Sequence, residues 1–431
     1  MQRVAISTLG CKINQFESAA MTESLGKEGF RVVPFDEDAD VYVINTCTVT
    51  AKTDAESRRL IRRALRRNPE ARVVVTGCYA QVAPDAVKDL PGVALVVGNS
   101  EKKSIVELLR DAAPADKVVV SDISRERTTE GLRLESFAEH TRAFLQVQNG
   151  CDAFCSYCIV PYARGRSRSV PLDEALGGIR AFAAQGFREV VLTGIHLGAY
   201  GLDLEPPSSL LALLEAAEAE AAVPRLRVGS VEPNELTDDL ISFLARSAIA
   251  CPHLHIPLQS GDDRVLERMG RRYTAEFFRE RVGRLVAAVP GIFIGCDVIA
   301  GFPGETEEEF ANTVRLIGEL PVASLHVFPY SRREGTAAAR MTGQVDGKVV
   351  RARAEALRGL GEGKKRAFCE GVVGRELAVL VQSRGQDGEV VGLSRNYLPV
   401  RVPDYTGEMN VEVTVQVTRV TADGVRGVIR G

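Results

Sequence analysis

The chain has 431 residues, 45% apolar and 26% charged, with a formal net charge of −3. That length supports two to four domains with sizeable cores, and the composition is that of an ordinary soluble globular protein. It excludes a globally basic nucleic-acid binder, so a polyanionic partner has to be met by local basic patches. The opening MQRVAISTLGCKINQF has no long apolar segment, and no window approaches about 18 uncharged apolar residues, so neither a secretory signal nor a membrane span is expected. Nine cysteines in that setting imply a reducing cytoplasm, where clustered thiols bind metal or do chemistry.

In chain order, the strand-like runs RVAIST, VYVINT, RVVVTG and VALVVG alternate with the helix-like NQFESAAMTESLGKEG, DAESRRLIRRALRRN and SEKKSIVELLRDAA. The alternation predicts an α/β domain with a doubly wound parallel sheet over residues 1–114. Cys11, Cys47 and Cys78 each stand just past the carboxyl end of a strand, where open α/β sheets place their ligand sites. Each alone reads as a buried structural cysteine. Three at the same structural offset point to a site.

Residues 115–140 are polar and mixed, and read as a linker. A second alternation over 141–369 pairs AFLQVQN, EVVLTG, RLRVGS, HLHIPLQ, IFIGCDVIA and SLHVFPYS with helical runs, predicting a partial (β/α)6 barrel with function at its carboxyl rim. A helix from about 345 to 369 leads into residues 370–431, whose short strands and Gly/Asp turns predict a small OB-like β-barrel.

The loop after the first barrel strand, GCDAFCSYCIVPYARGRSRS, places Cys151, Cys155 and Cys158 within eight residues. A [4Fe–4S] cluster needs a ligand on each iron, so three thiolates leave one iron open to a small chelating molecule. Structural zinc is the alternative, and it needs a fourth Cys or His close by. None follows Cys158 before His196. Cys296, inside IFIGCDVIA, reads as core; Cys251, before a proline, and Cys369, ending the bridging helix, carry no site; His253 and His255, alternating along one strand, read as strand-face packing or a rim hydrogen bond.

The Cx3CxxC loop, with Tyr157 before its last cysteine, resembles that of radical S-adenosylmethionine enzymes. Together with STLGCKINQFES, VINTCTVT, VVVTGCYAQ, HIPLQSGDDRVLERMGRRYT and DVIAGFPGETEEEF, it resembles the methylthiotransferases along the whole chain. The resemblance implies two [4Fe–4S] clusters, one on Cys151, Cys155 and Cys158 with S-adenosylmethionine on its open iron, and an auxiliary one on Cys11, Cys47 and Cys78. It implies radical hydrogen abstraction from an unreactive carbon, sulfur insertion, and methyl transfer from a second cofactor molecule, with an external electron donor and sulfur source. It implies that the terminal barrel is an RNA-binding TRAM domain. LGCKINQFES, with Lys12, and NYLPVRV are most similar to members acting on N6-threonylcarbamoyladenosine beside the tRNA anticodon; other members act on isopentenyl-adenosine or on a ribosomal-protein aspartate.

Further cofactor contacts are expected from Tyr157, Thr193, Gly194, Ser230, Glu232, Gln259 and Gly301, each of which also reads as a strand-end residue with a local hydrogen bond. The strand-five pattern departs from the family, because Gly304 stands where a Glu is usual and the acid is Glu305. For the anticodon stem-loop, Arg164, Arg166 and Arg168 beside the cysteine loop and Arg271 and Arg272 after strand four are expected phosphate contacts. The arginines of RRLIRRALRR, from Arg58 to Arg67, fit either RNA or a solvated helix face.

Overall fold

The computed structural model describes residues 1–110, 117–129, 134, 141–385 and 388–430. Of the expected linker, residues 117–129 and 134 are described and the rest lies outside the described residues.

The N-terminal unit is a parallel sheet of β1 (Arg3–Thr8), β2 (Arg31–Val33), β3 (Val41–Thr46), β4 (Arg72–Gly77), β5 (Val93–Val97) and β6 (Val118–Val119), in the order β2-β1-β3-β4-β5-β6. All six residues of β3 are buried, as a near-continuous β-branched run demands when helices cover both faces. Around the sheet lie α1 (Lys12–Lys27), α2 (Ala51–Arg67), α3 (Cys78–Val82), α4 (Pro84–Lys88) and α5 (Ile105–Arg110). Two strands go beyond the expectation. β2 is too short to carry a period, and β6 comes from the expected linker, whose Val118 and Val119 pair with Val96 and Val97.

The central unit places six parallel strands in chain order: β7 (Arg142–Gln146), β10 (Glu189–Thr193), β11 (Arg225–Val228), β12 (His253–His255), β13 (Phe293–Ala300) and β14 (Ser324–Pro329). Single bridges, Leu226 to Ala250 and Ser230 to His255, join its two halves into one open arch. A short hairpin of β8 (Gln148–Asn149) and β9 (Arg168–Ser169) flanks the cysteine loop and α6 (Val160–Arg164).

Strand alternation sorts the arch. Val190, Leu226, Leu254, Ile294, Cys296 and Val298 join the large core under the helices α7 (Leu172–Ala184), α8 (Leu210–Glu220), α9 (Asp238–Arg246), α10 (Asp263–Met269), α11 (Ala275–Ala288) and α12 (Glu307–Glu319). The opposite, concave face carries Arg142, Glu189, Arg227, His255 and Asp297, a polar lining for a chamber. α1 packs across β7, which places the N-terminal unit over the open side of the arch.

Helix α13 (Gly347–Gly371) connects to a closed five-stranded barrel of β15 (Glu376–Arg384), β16 (Val390–Ser394), β17 (Pro399–Val402), β18 (Glu412–Val420) and β19 (Val425–Ile429). Closure removes the edges that such short strands would otherwise expose. The barrel core includes Phe293 of β13, so the terminal unit is docked under the amino ends of the arch strands.

Candidate active site

The dispersed cysteines converge because three loops leave adjacent strands side by side. Gly10 has φ +97°, and a Cβ there would lie 2.7 Å from Cys47 Cβ and 2.9 Å from its Sγ. Gly77, at φ +94°, leads into Cys78, and a Cβ on it would come within 2.3 Å of the Thr46 carbonyl oxygen. Only glycine fits either position. Asn14 pins the same junction by donating to the carbonyls of Leu9 at 2.6 Å and Thr46 at 3.0 Å. Burial, reinforced by the neighbouring Cys78, pushes the Cys47 thiol up to about 11. Such a pocket disfavours free thiolates until a cation compensates them.

The second triad lies on one loop at the rim of the arch. The backbone N–H of Ala153 donates to Cys151 Sγ at 3.4 Å, and His196 Nδ1 lies 3.5 Å from the same sulfur. Arg271 donates to Cys155 Sγ at 3.3 Å and to the Tyr273 hydroxyl at 3.0 Å, and it is ion-paired with Glu232. Burial raises the Cys158 thiol to about 12. A cavity of about 470 Å³ opens here, lined by Cys155, His196, Glu232, Glu235, Arg271 and Tyr273.

Zinc fits neither triad. A tetrahedral ion with Zn–S bonds of about 2.3 Å holds its sulfurs roughly 3.8 Å apart. Among the described residues, the only three such ligand groups within 4.8 Å of one another are His255, Asp297 and His326. Thiols in threes, spread wider than one ion gathers them, suit the corners of a four-iron cube. Beside Cys155 the cavity offers Glu232 and Arg271, a carboxylate and a guanidinium that would suit an amino-acid moiety.

A buried ionic bridge ties the two triads together. Glu17 on α1 accepts from Lys102 at 2.5 Å and from Arg164, which ends the helix after the cysteine loop and also bonds Asn14. Burial alone would raise the Glu17 carboxyl, but Arg164 and Lys102 outweigh it and hold it at about 2.

Several expected roles change. Arg164 is 1% exposed and Arg168 4%, so neither meets a phosphate from solution; Arg168 donates to the carbonyls of Arg164 and Arg166. Arg271 is likewise spent inside the cavity. Arg166 is exposed, paired with Asp152 at 3.3 Å, and Arg272 is exposed beside the cavity. Thr193 is buried and donates to the Leu145 carbonyl at 3.1 Å, which commits its side chain to the strand ladder. Gly301 faces α13, where an added Cβ would lie 2.5 Å from Val350 Cγ2; its N–H donates to Glu305 at 2.8 Å, so the close approach is packing rather than room for an adenine. Gly194 sits against Gln148, Ser230 is exposed at the rim, and Gln259 is buried at φ +65°. Tyr157 packs against Val265, Met269 and Phe302. His255 is more than strand packing: its Nε2 lies 2.8 Å from Asp297, which is 3.4 Å from His326 Nδ1. Cys296 is buried as expected, and Cys251 and Cys369 are buried too. Sequence reasoning missed His196, Glu235, Glu17 and Lys102. Glu17 did carry a signal, as an acid set among Ile13, Phe16, Ala20 and Met21 on the buried face of α1.

An open six-strand arch with three rim thiols and a flanking cavity is the frame of a radical S-adenosylmethionine enzyme. Residues 145–317 match the radical SAM superfamily, and residues 3–98 match the uncharacterized protein family UPF0004. The chain is 41% identical to a threonylcarbamoyladenosine tRNA methylthiotransferase of Bacillus subtilis, over 93% of this chain and 90% of that one. A protein of the same name from Thermotoga maritima is 36% identical over 99% and 96%. A tRNA-2-methylthio-N(6)-dimethylallyladenosine synthase of Cereibacter sphaeroides is 34% identical over 99% and 98%. Among solved structures, the radical S-adenosylmethionine methyltransferase TsrM of Kitasatospora setae superposes with a TM-score of 0.54 at 20% identity, covering 77% of this chain and 74% of that one, a likeness of fold. The chain belongs to the radical S-adenosylmethionine methylthiotransferase family. Among the described residues, no helix is long and apolar enough to cross a membrane.

Proposed function

We propose that this chain modifies tRNA by placing a methylthio group on carbon 2 of N6-threonylcarbamoyladenosine beside the anticodon. The observation that carries the reading is the pair of three-thiol sets held to each other by the Glu17–Arg164–Lys102 bridge. One site can then serve both hydrogen abstraction and sulfur delivery. The names of the relatives at 41% and 36% identity support the choice of nucleoside.

In this reading Cys151, Cys155 and Cys158 hold one [4Fe–4S] cluster, and Cys11, Cys47 and Cys78 hold the other. When bound, the clusters and S-adenosylmethionine supply the electron, the hydrogen-abstracting radical, the sulfur and the methyl group. The chain orients and shields. Arg271 and Glu232 grip the amino-acid end of the cofactor, and the N-terminal unit over the arch excludes water from a reactive centre. Arg166 and Arg272 meet RNA phosphates at the cavity mouth. Arg62, Arg66 and Arg67 of α2, exposed and without an ion pair among the described residues, extend that footprint. The terminal barrel acts as a TRAM-like RNA contact, and an external donor and sulfur source complete the cycle.

The test is nucleoside composition. tRNA from a strain lacking this gene should lose the 2-methylthio form of threonylcarbamoyladenosine and regain it with the wild-type chain, not with Cys47→Ala. Persistence of that nucleoside in the deletion strain would refute the reading.

A further inference from the structure

The floor of the chamber holds more positive charge than the protein itself neutralises. Arg225 and Arg227 each reach Glu189 at 2.8 Å, and Arg142 lies 3.6 Å from the same carboxylate. Arg225 has a second acid in Glu412 at 3.0 Å. Lys12 adds a further cation from above. It is the first residue of α1, next to Cys11, and its Nζ reaches 6.0 Å from the centre of the Tyr397 ring. Among the described residues, no carboxylate lies within ion-pair distance of it. The guanidinium carbons of Arg142 and Arg227 lie 5.9 and 5.0 Å from the same ring. Three cations therefore crowd one ring, and Glu189, the acid that Arg142 and Arg227 share, is already divided between them and Arg225.

The surroundings are built, not incidental. Tyr397 holds φ +69°, a left-handed conformation that is costly for a tyrosine and positions its ring on the floor. His253, 6% exposed, packs with its ring centre 4.2 Å from that of Tyr397, and its Nδ1 is buried with no hydrogen-bond partner among the described residues. A half-buried cation without a carboxylate partner and an unpaired buried ring nitrogen are both costly unless a guest satisfies them. The guest that fits is an anion, met by Lys12 beside the dispersed triad.

We propose that this floor is a carboxylate pocket, in which Lys12, backed by Arg142 and His253, binds the threonine carboxylate of the modified adenosine. The proposal rests on the function proposed above and adds how the enzyme selects its nucleoside. A threonylcarbamoyl group ends in a carboxylate, whereas a dimethylallyl group ends in two methyls. A cation at Lys12 rewards the first and is left desolvated and unpaired by the second, so it discriminates by attraction and by penalty together.

The experiment uses the reconstituted holoenzyme and three anticodon stem-loop RNAs, carrying threonylcarbamoyladenosine, its carboxamide analogue, or dimethylallyladenosine. The wild type should bind the carboxylate RNA at least about tenfold more tightly than the carboxamide, about what one good charge-assisted hydrogen bond supplies. Lys12→Gln should reduce that ratio to near one, while Lys12→Arg keeps most of it. Iron content at the wild-type level certifies that each variant is folded and loaded. If Lys12→Gln, fully loaded, discriminates as well as the wild type, the pocket is wrong while the function stands. If the wild type modifies only the dimethylallyl RNA, the proposed function falls and takes the pocket with it.

Discussion

The two cysteine triads solve the same problem by opposite routes. Cys151, Cys155 and Cys158 are neighbours in the chain, so their proximity is covalent and survives changes elsewhere. Cys11, Cys47 and Cys78 are neighbours only because β1, β3 and β4 lie side by side and because Gly10 and Gly77 let three loops close on each other. The first site is a property of a peptide; the second is a property of a fold. A dispersed site reports on the folding of the whole unit, and it can be tuned or lost from a distance.

The sharpest way to break the comparison is to remove one thiol from each set. Cys155→Ala should abolish both product and reductive cleavage of S-adenosylmethionine, whereas Cys47→Ala should abolish product and spare part of the cleavage. In each, iron should fall from about eight to about four per chain. Equal loss of cleavage would erase the division of labour.

Next in size is the bridge between the sets. Glu17→Gln leaves Arg164 and Lys102 buried without their shared acid, which should cost about 3–5 kcal/mol in urea unfolding. The auxiliary iron should be lost first, because only that set needs the fold around it. Acid should then loosen the chamber floor. Burial raises Glu189 but Arg227 and Arg225 overcome it and hold it at about 2, below the usual range near ~4.3. The stability it contributes is present above that range and lost as pH falls from about 4 toward 2, and Glu189→Gln should flatten this part of the acid-unfolding profile. Smallest is the surface term. Alanine at Arg62, Arg66 and Arg67 should weaken tRNA binding evenly and lower the log–log salt slope by about 0.7–0.9 per lost phosphate contact, with both iron sites intact.

Much of this was readable in advance, for reasons the triads make plain. Spacing alone gives the loop site, and strand-end placement gives the dispersed one, because parallel sheets send chemistry to one edge. What spacing cannot give is which side of a surface a charge ends on. Arg164 and Arg168 sit among basic neighbours in RGRSRS, as a phosphate-binding stretch would, yet α6 turns Arg164 inward toward α1 and β9 turns Arg168 onto the carbonyls of Arg164 and Arg166. Gly301 carries the local pattern of a ligand turn, while its true neighbour, Val350, comes from a helix that sequence places far away. The meeting of His255, Asp297 and His326 depends on the register of β12, β13 and β14, which no single strand encodes.

Tyr397 changes what the terminal barrel is for. Its ring, with Leu393, Ser394 and Arg395 carbonyls receiving Arg225 and Arg227, makes that barrel the base of the reaction vessel. An enzyme shortened after α13 would not be the same catalyst with a weaker grip on RNA. It would be a vessel without a bottom, open to solvent where a radical has to be kept dry, and its failure would show as cofactor consumed without product.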